Sequence, residues 1–235
     1  KEAAFSGEAG HGALILARRQ KSGRGRRGRS FYSPENAGLY MSIVLRPDRT
    51  LKEGLLITTA AATAVCRAVK KICGIDLGIK WVNDLYLHDR KVCGILTEAV
   101  TDFESGNIEF AVVGIGLNLY VPEDGFPEEI QETAGALFGS REAAEHVNCS
   151  ILVAEIANQL LMEVETPGLS REYTENNIIP GNMIVITDGA RTREAYAEAI
   201  APDGRLVVRE QDGSETLLSY GEVSVRRKPD EDQSK

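Results

Sequence analysis

The sequence predicts an α+β fold: a mixed, largely antiparallel sheet with packed helices, followed by a small SH3-like β-barrel. Three observations carry this expectation. Short apolar runs between residues 78 and 119 are separated by His88-Asp89-Arg90 and Glu104-Ser105-Gly106-Asn107, which is hairpin-turn chemistry. An alanine-rich segment, 51–73, has the length and composition of a buried helix. Beyond residue 181, short apolar runs are punctuated by Asp188-Gly189, Asp203-Gly204 and Asp212-Gly213, as in a small antiparallel barrel.

In chain order, residues 12–18 and 38–46 read as strands. Segment 51–73 reads as a helix capped by Thr50, packing Ala60, Ala61, Ala62 and Ala64 closely on a sheet and ended by Gly74. Segments 78–81, 85–87, 91–100 and 108–119 read as strands. The nearly unbroken apolar run from Phe110 to Leu117 predicts a central strand covered on both faces. Residues 120–148, with Pro122 and Pro127, are irregular. Residues 150–165 form an amphipathic pattern, capped by Ser150 and stopped before Pro167-Gly168, and 169–176 suggest a shorter helix. Pro180-Gly181 marks a change of texture. The expected organisation is a first domain over 1–180, a barrel over 181–228 and a polar tail over 229–235.

The chain has 235 residues, 43% hydrophobic and 26% charged, a composition that excludes a disordered chain and a disulfide-stapled miniprotein. Its longest apolar stretches are about half the ~20 residues of a membrane-spanning helix. Cys66, Cys73, Cys93 and Cys149 form no CxxC pair, and the chain has 3 His, so neither a structural zinc site nor any other protein-held metal is expected. Free, buried thiols in a reducing cytoplasm are the expected state. Lys1-Glu2-Ala3-Ala4-Phe5 reads as the middle of a helix, so residues preceding Lys1 are expected.

Charge is concentrated. The formal net charge is −8, yet residues 18–29, RRQKSGRGRRGR, hold seven basic groups and no acid. Subtracting that +7 leaves −15 for the remainder. Strand patterns flank the run on both sides, so it reads as an ordered or ligand-ordered loop that holds an anion. Gly23, Gly25 and Gly28 expose backbone N–H groups and admit a ligand closely.

Three motifs then stand in order: Gly23-Arg24-Gly25-Arg26-Arg27-Gly28-Arg29 followed by Ser33-Pro34; Lys80-Trp81-Val82-Asn83-Asp84-Leu85 leading to Arg90-Lys91-Val92-Cys93-Gly94-Ile95-Leu96; and Gly114-Ile115-Gly116-Leu117-Asn118. Taken singly they are weak. Lys80 would read as a strand-end lysine in solvent, Trp81 as core, Asn83-Asp84 as a turn, and Gly114 and Gly116 as room for a helix. Together they closely resemble the biotin–protein ligases (biotin–[acetyl-CoA carboxylase] ligases), over most of the chain. Val82 stands where that family usually has proline, and the family's Ser-Thr-Asn segment would lie just upstream of Lys1.

The resemblance implies a class II synthetase-like catalytic domain with a C-terminal barrel. It implies ATP-dependent formation of biotinyl-5′-AMP and transfer of biotin to a lysine of a biotin carboxyl carrier domain. Biotin and ATP are the implied substrates, with Mg2+ arriving on the nucleotide. By the same resemblance Lys80 and Arg26 are the catalytic candidates, Lys80 at the carboxyl–phosphate junction and Arg26 retaining the intermediate. Gln20, Arg24, Gly25, Arg26, Lys80, Gly94, Gly114 and Gly116 are implied to contact biotin. Arg24, Arg26, Arg29, Phe31, Asn83 and Asn118 are implied to contact ATP or the adenylate, Phe31 covering the adenine and the two asparagines lying near the adenylate or its magnesium. Arg27 is left to solvent. Arginine suits the chemistry because an anionic carboxylate must approach an anionic phosphate. An exposed sheet surface is implied for docking the carrier or for a homodimer. Two rivals stand beside this reading: a lipoate or octanoate ligase, and a non-enzymatic nucleic-acid-binding module using the arginine loop. The −15 outside the loop argues against a broad nucleic-acid surface.

Overall fold

Antiparallel neighbours follow one another along most of the chain, as the turn chemistry predicts. The computed structural model describes residues 1–102, 104–219 and 224–227. A short helix, α1 (Glu2–Phe5), precedes β1 (Leu14–Ala17) and β2 (Gly38–Leu45), which pair across the arginine-rich loop. One 3-10 turn, Leu51–Glu53, then leads into α2 (Gly54–Cys73). Thr50 and Glu53 make a reciprocal capping box: the Thr50 N–H and hydroxyl both donate to Glu53 Oε2, at 3.0 and 2.9 Å. Gly74, at φ +70, ends α2 in the left-handed conformation expected of a glycine cap.

The strands β3 (Gly78–Lys80), β4 (Asp84–Leu87), β5 (Arg90–Thr101) and β6 (Ile108–Asn118) follow as successive hairpins. The six strands form one sheet in the order β1-β2-β6-β5-β4-β3. All its strand pairings are antiparallel, and parallel contact is confined to isolated bridges such as Ile79–Asn177. Next come α3 (Cys149–Glu165) and α4 (Arg171–Glu175). The cap of α3 is Asn148 and not the predicted Ser150, because the helix begins one residue before that serine. The Asn148 carbonyl oxygen Oδ1 accepts from the Ser150 and Ile151 N–H groups at 3.0 and 3.2 Å.

The central strand departs from expectation on one face. Ala111, Val113, Ile115 and Leu117 pack into the main core with α2 and α3. The opposite face carries Phe110, Val112, Gly114 and Gly116. At one end Phe110 is roofed by Ala4, Ala9 and Val44, with the Phe5 ring edge-on at 6.5 Å. At the other end Gly114 and Gly116 are left as cavity floor. The apolar run is therefore covered along its length by α2 and α3 on one face, and on the other only at its Phe110 end, by α1. Gly residues count as apolar in a hydropathy pattern but bring no side chain to bury.

The second sheet contains β7 (Asn182–Asp188), β8 (Arg191–Ile200), β9 (Leu206–Arg209), β10 (Glu215–Leu218) and β11 (Ser224–Arg227), in the order β10-β9-β8-β7-β11. Gly189, Gly204 and Gly213 all have positive φ, which is why glycine follows aspartate at these turns. The buried side chains of this sheet join the same core as those of the larger one. The predicted tail, 229–235, lies outside the described residues. Among the described residues no helix is long and apolar enough to cross a membrane. Cys66 and Cys93 are buried as expected, whereas Cys73 is half-buried and Cys149 exposed.

Candidate active site

The arginine-rich loop is an ordered hairpin. Its base is closed by Phe31 N–H donating to the Gly23 carbonyl at 2.9 Å, and its tip by Gly25 N–H donating to the Arg29 carbonyl at 2.7 Å. The tip is a 3-10 turn, Arg26–Gly28, in which Arg27 itself is left-handed at φ +56. Gly23 tolerates no side chain, since a Cβ there would stand 2.2 Å from the Phe31 carbonyl oxygen. Ser33, buried, donates to Gln20 Oε1 at 2.7 Å and ties the two ends of the loop together.

The loop closes over the sheet face that the helices leave bare. Between them lies a cavity of about 460 Å3, within the range typical of small-molecule sites. Its floor is nearly free of side chains. Gly94 of β5 and Gly116 of β6 are register partners. A Cβ on Gly116 would meet the Phe31 ring at 2.5 Å, and one on Gly94 would meet the same ring at 3.1 Å. A Cβ on Gly114 would meet only the Leu96 carbonyl oxygen, at 3.6 Å. The Phe31 ring thus lies on two of the glycines assigned above to biotin; exposed strand backbone is a flat surface on which an aromatic ring packs well.

The wall opposite the loop is the turn between β3 and β4. Asn83 is pinned to Ile95 twice, its Nδ2 donating to the Ile95 carbonyl at 2.7 Å and its own carbonyl accepting from Ile95 N–H at 2.9 Å. That leaves Oδ1 to accept from Arg26 Nη1 at 3.0 Å, which joins the loop to the wall. The Lys80 ammonium stands 3.4 Å from the Tyr86 hydroxyl and 5.3 Å from its ring centre. Burial, with the Asp84 charge adding, pushes the Tyr86 phenol up to about 12. Tyr86 therefore stays neutral beside Lys80.

Seven cations face this cavity, Lys1, Arg24, Arg26, Arg27, Arg29, Lys80 and Lys91, against two carboxylates, Asp84 and Glu98. Both carboxylates are engaged. Asp84 Oδ1 pairs with Lys91 Nζ at 2.6 Å. Glu98 pairs with Lys1 at 2.9 Å and with Arg24 at 3.6 Å. The Lys1 hydrogen bond, with further pull from the charges of Lys1 and Arg24, holds the Glu98 carboxyl below the usual glutamate range. The surplus of positive charge suits an anionic ligand.

Of the residues singled out in the sequence, Gln20, Arg24, Gly25, Arg26, Arg29, Phe31, Lys80, Asn83, Gly94, Gly114 and Gly116 line this one cavity. Arg27, left to solvent above, reaches its rim while remaining exposed. Asn118 is not brought to the cavity; it is buried at the end of β6, donating to the Gly135 carbonyl at 2.8 Å. Trp81 is both core and wall, 6% exposed. Arg27 aside, four charged lining residues were not among the candidates from the sequence: Lys1, Asp84, Lys91 and Glu98. Glu98 was legible, since it follows Gly94 and Leu96 at alternate positions on β5. Lys91 was not. Its side chain lies against Gly94, whose added Cβ would stand 3.3 Å from Lys91 Nζ, although strict alternation puts positions 91 and 94 on opposite faces. A register shift between Leu85 and Tyr86, which pair with Cys93 and Lys91, breaks that alternation.

Residues 1–118 match the sequence model of the Biotin/lipoate A/B protein ligase family. The bifunctional ligase/repressor BirA of Escherichia coli (strain K12) is 30% identical over 229 residues, covering 94% of this chain and 68% of that protein. The bifunctional ligase/repressor BirA of Bacillus subtilis (strain 168) is 35% identical over 145 residues, 62% of this chain; the match spans 43% of that relative's length. Among solved structures, the biotin protein ligase from Aquifex aeolicus in complex with biotin and ATP superposes with a TM-score of 0.76 at 24% identity, covering 94% of this chain and 91% of that one. At that identity the likeness speaks for the fold.

Proposed function

The chain belongs to the biotin/lipoate A/B protein ligase family, and from that premise we propose that it is an ATP-dependent biotin–protein ligase. One observation carries the reading: a cavity of small-molecule size with a glycine floor, on which an aromatic ring already packs, and seven cations around it. A neutral fused ring needs the first feature, and a carboxylate meeting a triphosphate needs the second.

In the first step a biotin carboxylate oxygen bonds to the α-phosphorus of ATP. The bond from that phosphorus to the bridging oxygen breaks, and pyrophosphate leaves. In the second step a carrier lysine amine attacks the acyl carbon of biotinyl-5′-AMP, an amide forms, AMP leaves and the amine's proton passes to solvent. Gly94, Gly114, Gly116 and Gln20 would hold biotin, with Phe31 against the ring or the adenine. Lys80 and Lys91 would flank the reacting carboxylate and α-phosphate and offset the charge that builds up there. Arg24, Gly25, Arg26 and Arg29 would bind the phosphates, and Arg26, held by Asn83, would keep the adenylate from leaking. Asn118 would act from outside, fixing the 120–148 segment at Gly135. Magnesium would enter as part of the nucleotide substrate. The division into a catalytic domain over 1–180 and a barrel over 181–228 belongs to the same proposal. β1, an edge strand with Leu14, Ile15 and Leu16 exposed, offers the docking surface for the carrier or for a second copy. Free thiols and the need for ATP fit a cytoplasmic setting.

The test is intact mass spectrometry of a biotin carrier domain after incubation with the chain, MgATP and biotin, with lipoate and octanoate run in parallel. A single biotinyl adduct is expected. A lipoyl or octanoyl adduct without a biotinyl one would overturn the choice of acid.

A further inference from the structure

We propose that Tyr173 of α4 and the Asp203-Gly204 turn of the second sheet are positioning elements for the reaction, fixing from outside the cavity the short turn that carries Lys80 and Asn83. The proposal rests on the reading of the cavity as an adenylating site.

Lys80 and Asp84 are register partners, so Trp81, Val82 and Asn83 make a tight three-residue connection. All three of its residues are held by groups distant in sequence, Asn83 by Ile95 and Arg26 and the other two from outside the cavity. The Val82 carbonyl accepts from the Tyr173 hydroxyl at 3.0 Å, in a buried contact spanning 91 residues. The Trp81 indole N–H donates to the Gly204 carbonyl at 2.9 Å, also buried and spanning 123 residues. Neither holding group is free to drift. Tyr173 is 0% exposed, at the centre of the core. Gly204 has φ +85 and sits on α2, where an added Cβ would stand 3.2 Å from Leu55.

The held turn matters because it carries two cavity groups. Asn83 Oδ1 receives Arg26, and Lys80 is the residue next to Trp81. Letting the turn slide would move the partner of Arg26 and the Lys80 ammonium together. A misplacement of about 1 Å in such a constellation costs up to ~10²-fold in rate. Neither Tyr173 nor Gly204 lines the cavity; Gly204 acts through Trp81, and Tyr173 through Val82 and through the charge of Arg26, itself held by Asn83.

Tyr173→Phe removes one hydroxyl and leaves the ring in the core. In the full chain, its maximal rate of biotin-dependent pyrophosphate release should fall about tenfold or more, while its equilibrium affinity for biotin alone stays within about threefold of wild type. In a Tyr173→Phe/Asn83→Ala double variant the loss should be no greater than in Asn83→Ala alone. A wild-type rate in Tyr173→Phe, or losses that simply multiply, would overturn the role of Tyr173. Gly204→Ala tests the other contact. Trp81 is the chain's sole tryptophan, so its emission reads the indole hydrogen bond directly. The emission should shift and the rate fall together; a shifted emission with a wild-type rate removes the second sheet from the mechanism. Wild-type chain that releases no pyrophosphate with biotin and MgATP would defeat the adenylation reading itself, and this proposal with it.

Discussion

Gly116→Ala isolates what the glycine floor does before any ligand arrives. The new Cβ would stand 2.5, 2.8 and 2.9 Å from three atoms of the Phe31 ring. Carbon atoms in contact sit at about 3.5–4.0 Å, so the ring must retreat by roughly 1 Å. Gly94 lies under the same ring from the neighbouring strand, and a Cβ there would find it at 3.1 Å, so the ring is seated on both glycines. Forced repacking of this kind costs about 1–3 kcal/mol. That cost falls on the closed state of the loop, because Phe31 is the loop's apolar anchor, and β6 stays folded whether the loop is open or closed. An opening equilibrium shifted by about 1–3 kcal/mol is about 5- to 150-fold more populated. Trypsin reads it, since cleavage at the loop arginines follows the open population when closing is fast. Gly114→Ala is the control: its Cβ meets one carbonyl oxygen at an ordinary 3.6 Å, so ligand-free cleavage should stay at the wild-type rate. Equal cleavage of Gly116→Ala and wild type would refute the seating of Phe31 on Gly116.

Two further outcomes follow from the charged groups. Lys91→Met breaks a partly exposed ion pair with Asp84, so stability to denaturant should change by about 1 kcal/mol or less. The maximal rate of pyrophosphate release should nevertheless fall by about 10²–10³-fold, the usual loss when a group that stabilises developing charge is removed. A near-wild-type rate would exclude Lys91 from the reacting centre. Glu98, in turn, has a folded-state pKa below its unfolded value of about 4.3. Its contribution is therefore present above that value and is lost as pH falls through the lowered folded value. Glu98→Gln should flatten the acid limb of the melting temperature against pH in that window, and an unchanged limb would mean that the Lys1 and Arg24 contacts add nothing.

Much of this molecule was legible because its signals are local. Thr50 as a cap, Gly74 after α2 and the three Asp-Gly turns each act within a few residues, and each is found where the pattern puts it. The arginine loop was legible as a site because its charge is contiguous and its glycines are spaced within it. The cap of α3 shows the limit of that logic, since Asn148 and Ser150 are both good caps and only the point at which the helix begins decides between them.

What the sequence could not show travels through space. A single register shift at Leu85/Tyr86 turns Lys91 toward Gly94, and no one-dimensional alternation contains that shift. Tyr173 carries no motif; its hydroxyl has a role only because α4 folds back against a turn 91 residues earlier. Asn118 fails in the opposite direction, for its Gly-x-Gly-x-Asn context marks a site but its amide is drawn to Gly135. The same parity that puts Gly114 and Gly116 on the floor puts Ile115 and Leu117 in the core, so β6 bears α2 and α3 on one face and the cavity on the other. Substitutions on its two faces should therefore separate: those at 113, 115 and 117 act on stability, while 116 acts on the loop and 114 on the ligand alone.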